Sequence, residues 1–257
     1  MYLPTHFEET RVDVMHTLMR AQPLALLVTL SDAGLQANPL PFLIDPEPAP
    51  FGTLRGHVAR ANPLWRETRL DVDSLVVFQG PQAYVSPSFY PSKAEHGKVV
   101  PTWNYVTVQA RGRLRAIDEA AWVHALVQRL TNTHEAMRAA PWAVRDAPDD
   151  YIATMLRAIV GIEIVLTSLV GKWKVSQNRG TADRQGVARG LLQSAATGGD
   201  AEAAQMARLV GLGGAPSAIE AVPTGRGQAG NEPRSRLVGD QETRDSPGSP
   251  DAGIEPR

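Results

Sequence analysis

Cysteine is absent from all 257 residues. Its absence excludes disulfides, thiolate metal ligands and a cysteine nucleophile, and it suits a reducing compartment. An excess of one charge is missing too, since 26 basic residues face 27 acidic ones for a net charge of −1. No global field therefore draws the chain towards nucleic acid or anionic lipid. Long apolar runs are also lacking. Residues 24–30 are too few to span a bilayer, and Glu163 interrupts residues 159–169. The opening MYLPTHFEETRVDVM shows no basic start followed by an apolar stretch, so no signal peptide is read and a cytoplasmic protein, not a membrane one, is expected. The histidines are dispersed and form no metal-ligand spacing, so no metal is expected. Gly-x-Ser-x-Gly, Walker and dinucleotide-binding glycine patterns are absent, which removes hydrolase, phosphate-loop and dinucleotide readings.

Aromatic residues run from Tyr2 to Trp173 and then stop. Half of the 22 glycines fall beyond residue 195, in a stretch of Gly, Pro, Ala and scattered charge. Such a composition buries too little apolar surface to offset an ordering cost of roughly 1–2 kcal/mol per residue. Residues 1–195 are therefore expected to form one domain. Residues 196–257 read as a disordered extension, with room for a short helix over 201–210.

Within the domain, Thr5 and Glu8 have capping-box spacing and Phe7, Val14, Met15, Leu18 and Met19 recur at helical spacing, predicting a helix over 6–20. Two β-rich runs around Ser31–Gly34 predict a hairpin, with Pro39 and Pro41 demanding an edge or a bulge. Short strands are expected at 53–58, 74–80 and 82–86, and a short helix at 61–70. From Trp103 the alternation is long: Val106, Val108, Ala110, Gly112, Leu114 and Ala116 face one way, and Tyr105, Thr107, Gln109, Arg111, Arg113 and Arg115 the other. A helix from 118 to 134 with Trp122, Ala125, Leu126, Arg129 and Leu130 on one stripe, a second helix over 149–158 and a strand over 160–171 complete the reading. The fold class is mainly β with peripheral helices, a small β-barrel.

Three segments carry residue types that a core does not need. In LRGHVARANP, Arg55 and His57 share a strand face, and Ala59, Arg60 and Asn62 follow at the turn into a helix with Pro63 in its first turn, an arrangement suited to a phosphate or to a solvated surface strand. The loop YVSPSFYPSK, continuing to Thr102, Trp103 and Asn104, crowds rigid aromatics with directed polar groups, as a pocket or a barrel cap would. In GKWKVSQN, Trp173 lies between two lysines and Gln177 follows, so Trp173 could stack on a planar ligand or be the last core aromatic. The row Arg111, Arg113 and Arg115 reads as a solvated exterior, with a nucleic-acid contact as the other reading.

LRGHVARANP, YVSPSFYPSK, VPTWNY and GKWKVSQNRGTADRQGV occur in the order and spacing found in the PaiB-type FMN-binding negative transcriptional regulators, and the opening MYLPTHFEE is similar as well. The resemblance covers residues 1–192. It implies a flavin split β-barrel related to the pyridoxamine-phosphate oxidases, a homodimer, and FMN held near the subunit interface. It places the FMN phosphate against Arg60, Ala59 and Asn62 with Arg55 or His57 nearby. The ring system would lie near Thr102, Trp103 and Asn104, with Trp173 arriving from the partner subunit and Gln177 at the polar edge. The family implies negative transcriptional regulation, yet no helix-turn-helix with a basic recognition face is found, so DNA as a partner has no support from the charge pattern. The alternative is a flavin-dependent oxidoreductase of the same class, although no positioned acid or base names a substrate and no catalytic residue is assigned.

Overall fold

A computed structural model describes residues 1–211. After a 3-10 turn at Thr5–Phe7, a two-residue strand β1 (Glu8–Glu9) leads into helix α1 (Val12–Ala21). The hairpin β2 (Leu24–Ser31) and β3 (Gly34–Pro41) follows, then β4 (Leu43–Asp45), β5 (Thr53–Ala59), α2 (Leu64–Glu67) and β6 (Ser74–Val85). A 3-10 turn at Pro87–Phe89 and α3 (Ser92–His96) precede β7 (Thr102–Ile117), α4 (Ala120–Glu135), α5 (Asp149–Arg157), β8 (Ile159–Lys174), α6 (Thr181–Gly198) and α7 (Ala201–Gly211).

Among the described residues the strands form one antiparallel sheet in the order β3-β2-β6-β7-β8-β5-β4, with β1 added to β8. The two ends of that path, β3 and β4, are separated in sequence by Phe42 alone. A sheet whose first and last strands are one residue apart must curl until its edges meet, so it is a barrel. Phe42, 2% exposed, points into it with Leu27, Leu54, Phe78, Val108 and Ile162. Each such buried side chain contributes about 1.5–3 kcal/mol. Leu18 and Met19 of α1 join the same core.

The long alternation appears as β7, whose buried positions include Val106, Val108, Ala110, Gly112 and Leu114. Pro39 and Pro41 lie on β3, the edge strand, where a missing N–H costs no ladder bond. Four expectations shift. The first helix begins at Val12, because Glu8 and Glu9 extend and pair with Lys172 and Gly171; Thr5 and Glu8 form no capping box. Residues 74–86 are one strand, with the register shift between Gln79 and Gln82 absorbing Pro81. The helix expected over 61–70 shrinks to Leu64–Glu67, and the buried stripe of α4 is Val123, Leu126 and Leu130, leaving Ala125 and Arg129 exposed. Helix α6 was not expected.

The compositional boundary at 195 falls inside α6, and α7 packs Met206, Leu209 and Val210 into the core cluster. The expectation of disorder beyond residue 211 lies outside the described residues. No described helix is long and apolar enough to cross a membrane.

Candidate functional site

The LRGHVARANP segment is β5 and the turn after it, and its cations are already engaged. Arg55 donates from Nε to Glu163 Oε2 at 2.9 Å and from Nη1 to Asp45 Oδ2. Glu163, 8% exposed, also accepts from Arg115 at 2.8 Å, and Asp45 from Arg129. The result is an alternating chain, Arg129–Asp45–Arg55–Glu163–Arg115, across four strands and α4. Arg60 donates to both oxygens of Asp118 and to the carbonyls of Arg157 and Ile159. Its hydrogen bonds hold the Asp118 carboxyl below the usual carboxylate range. Asn62 accepts from Leu64 N at the start of α2 and donates to Asn38, while the Ala59 carbonyl accepts from Asn62 N. His57 is half-buried with Nδ1 unpartnered, and desolvation lowers its pKa, which favours the neutral ring. A phosphate at this turn would replace Asp118 on Arg60, and the four-residue α2 offers it no strong helix dipole.

The other candidate residues gather where β7 begins and β8 ends. Trp103 and Tyr84 face outward as a cross-strand pair, 55% and 49% exposed, with ring centroids 6.0 Å apart at 67°. Asn104 is buried and donates to Ser176 Oγ at 2.9 Å. Ser176 has a φ of 64°, a left-handed conformation costing a non-glycine residue about 1–2 kcal/mol. That strained turn is held by Gln177, whose Oε1 accepts from Val175 N and whose Nε2 donates to the Trp173 carbonyl. Gln177 is thus a backbone clamp within its own turn. Trp173 is 2% exposed and belongs to the core, so on β6, β7 and β8 the exposed rings are Trp103 and Tyr84.

Sequence reasoning gave the two lysines no part in a site and missed the helix beside this rim. Lys174 Nζ donates to Thr102 Oγ1 at 2.5 Å and to the Trp103 carbonyl. Lys172 Nζ donates to the Tyr2 carbonyl at 3.0 Å and lies 5.3 Å from the centre of the Tyr105 ring. Arg179 sits over Tyr90 at 4.9 Å, and Asp183 of α6 accepts from Ser92 N and Oγ. The segments YVSPSFYPSK and NRGTADRQGV therefore touch, a convergence that their separate readings did not show. Between Ser88 and α6 lies an open groove of about 690 Å³, lined by Phe89, Tyr90, Lys93, Gly186 and Arg189 among others.

The two groups stand far apart. His57 pairs with Gly161 and Val106 with Trp173, twelve residues along β8, a reach of at most about 40 Å along the strand. The fit to a flavin rests on the second group. Asn104 Oδ1 and Trp173 Nε1 are a buried acceptor and donor without partners, each costing about 1–3 kcal/mol if left so. A flavin's pyrimidine edge carries N–H and C=O groups of matching polarity, and its flat ring suits the open Trp103–Tyr84 surface. The residues present fit the group.

A barrel with an aromatic, amide-bearing and cationic rim is of the class that holds a flat ligand with a polar edge and an anionic tail. The family model described as "Putative FMN-binding domain" matches residues 1–168, and the chain belongs to that family, of PaiB type, with FMN as its cofactor. An uncharacterized protein of Aspergillus fumigatus is 33% identical over 236 residues, covering 74% of this chain and 90% of its own. The protease synthase and sporulation protein PAI 2 of Bacillus subtilis is 29% identical over 187 residues, covering 73% and 87%. Among solved structures, the flavocytochrome Anf3 from Azotobacter vinelandii aligns with a TM-score of 0.47 at 13% identity, over 65% of this chain and 69% of that one.

Proposed function

We propose that this protein is a homodimeric FMN-binding regulatory protein, with each flavin held between two copies. The observation that carries the reading is the separation of the two candidate groups by twelve residues of β8, at most about 40 Å along the strand. Groups set so far apart along one strand suit a ligand shared between copies, with the Trp103 and Asn104 rim of one subunit beside His57, Ala59, Arg60 and Asn62 of the other. Apolar residues on the barrel exterior support the pairing: Leu24 and Leu26 of β2 are 66% and 41% exposed, on the strand next to β6, which carries Tyr84. In that assembly Arg60 would bind the phosphate in place of Asp118, Thr102 and Asn104 would orient the ring edge, and Trp103 would exclude water from its face. FMN supplies redox chemistry when bound. For a ligand of roughly 30 non-hydrogen atoms at ~0.3 kcal/mol each, binding near −9 kcal/mol is expected.

The regulatory part of the reading draws on the name of the Bacillus subtilis relative, protease synthase and sporulation protein. Contact with DNA gains little from the arginine row, since Arg113 pairs with Asp73 and Arg115 with Glu163, which leaves Arg111 as the one member without a carboxylate. Regulation through the flavin state or a protein partner suits these charges better than direct repression.

The test is a fluorescence titration of the full chain with FMN, followed by NADPH and by a gel shift at several salt concentrations. Tight FMN binding that Arg60→Ala weakens at least tenfold is the expected result. FMN affinity unchanged in that variant removes Arg60 from the site. Rapid bleaching by NADPH with turnover of an acceptor replaces regulation with the oxidoreductase reading.

A further inference from the structure

We propose that Lys172, Lys174 and Arg179 form a binding site for a phosphate monoester or a similar oxyanion at the rim where β8 ends. The argument is one of charge balance. Arg55, Arg60, Arg113, Arg115 and Arg129 each hold a carboxylate within 4 Å. Among the described residues Lys172, Lys174 and Arg179 hold none; so do several exposed cations such as Arg66, Lys93 and Arg111, but those have water in place of a partner, whereas Lys172 is buried and Lys174 and Arg179 are half-buried. Instead the two ammonium groups lie 5.3 Å and 5.9 Å from the centre of one ring, Tyr105, and Arg179 is near enough to act electrostatically on Lys174.

The acidic residues near this cluster are turned to other partners or kept apart. Glu8 stands opposite Lys172 in the β1–β8 ladder yet forms no ion pair with it, and Asp183 is bonded twice by Ser92. The nearby oxygens are neutral: Thr102 Oγ1, the Trp103 carbonyl and the Tyr2 carbonyl. Burial and then the two neighbouring cations lower the Lys174 pKa. Lys172 is itself 7% exposed. Gathering three like charges at a partly buried rim is unfavourable until an anion joins them, and charge-assisted bonds to phosphate are the strongest available relief.

The phosphate has two sources: a second phosphorylated ligand lying beside a flavin whose own phosphate is on Arg60, which rests on the flavin reading above, or the tail of FMN itself, which would then lie here and not on Arg60. Full-chain protein and the variants Lys174→Gln and Arg179→Gln are titrated with FMN, with riboflavin and with inorganic phosphate in calorimetry. If the tail of FMN is the occupant, both variants weaken FMN at least tenfold and leave riboflavin unchanged. If a second ligand is the occupant, FMN affinity holds while phosphate binding falls at least tenfold. Lys174→Arg keeps the charge and should restore binding in either case, which separates lost charge from misfolding. FMN and phosphate binding both unchanged in the variants overturns the proposal. A wild-type chain that binds phosphate and no FMN overturns the flavin reading and leaves this site standing.

Discussion

Arg55 sits at the middle of the chain of charges Arg129–Asp45–Arg55–Glu163–Arg115, and Glu163 beneath it is 8% exposed. Removing the guanidinium leaves a buried carboxylate with Arg115 alone, itself largely exposed. Arg55→Ala should therefore lower stability by about 2 kcal/mol in urea denaturation, because hydrogen bonds to charged groups contribute about 1.5–3 kcal/mol. An unchanged midpoint would mean that the network is ornamental. The sequence showed the residue types here and not their partners. Arg55 and Arg60 were legible as cations suited to an anion, whereas Asp45, Asp118 and Glu163 lie 10, 58 and 108 residues away along the chain. Nothing in local spacing announces such pairings. For the same reason Lys172 and Lys174 read as flanks of a tryptophan, and only the sheet register sets both beside Tyr105.

Helix α6 shows how an element can be hidden by its own packing. Glycine weakens an isolated helix by about 1 kcal/mol relative to alanine, so Gly186 and Gly190 argue against one. Here they let Phe89 approach: a Cβ at Gly186 would lie 2.2 Å from the Phe89 carbonyl oxygen, and one at Gly190 2.3 Å from its ring. Gly186→Val should then cost roughly 1–3 kcal/mol, as overpacking does, and lower the thermal midpoint. A midpoint equal to wild type would show that α6 shifts freely against the Pro87–Phe89 turn. Periodicity served best where one face is wholly buried, as along β7. It served least where tertiary pairing overrode a local signal, as when Glu8 and Glu9 joined β8 in place of opening a helix. Pro81 misled in another way, since a bulge carries β6 past it without ending the strand.

At the scale of the molecule, composition marked an end at residue 195 that the packing does not respect. Ala203, Met206, Ala207, Leu209 and Val210 of α7 are all at most 3% exposed. A chain stopped at 195 would uncover the surface they protect, and at about 25 cal/mol per Å² even a few hundred square ångströms matter. Such a truncation should unfold at a lower temperature and bind a hydrophobic dye more strongly than one stopped at 211. Equal behaviour would reduce α7 to an appendage. The barrel itself was legible as a class from the count of strands and the one long alternation. Its closure was not, because it depends on β3 and β4 meeting around Phe42.

That meeting point sets where the molecule breathes. β7 is laced to its neighbours on both sides for most of its sixteen residues, whereas β4 holds to β5 by three. Thermal fluctuations will part the wall first beside Phe42, like a cuff at its button, and the longest ladder will be the last to fray.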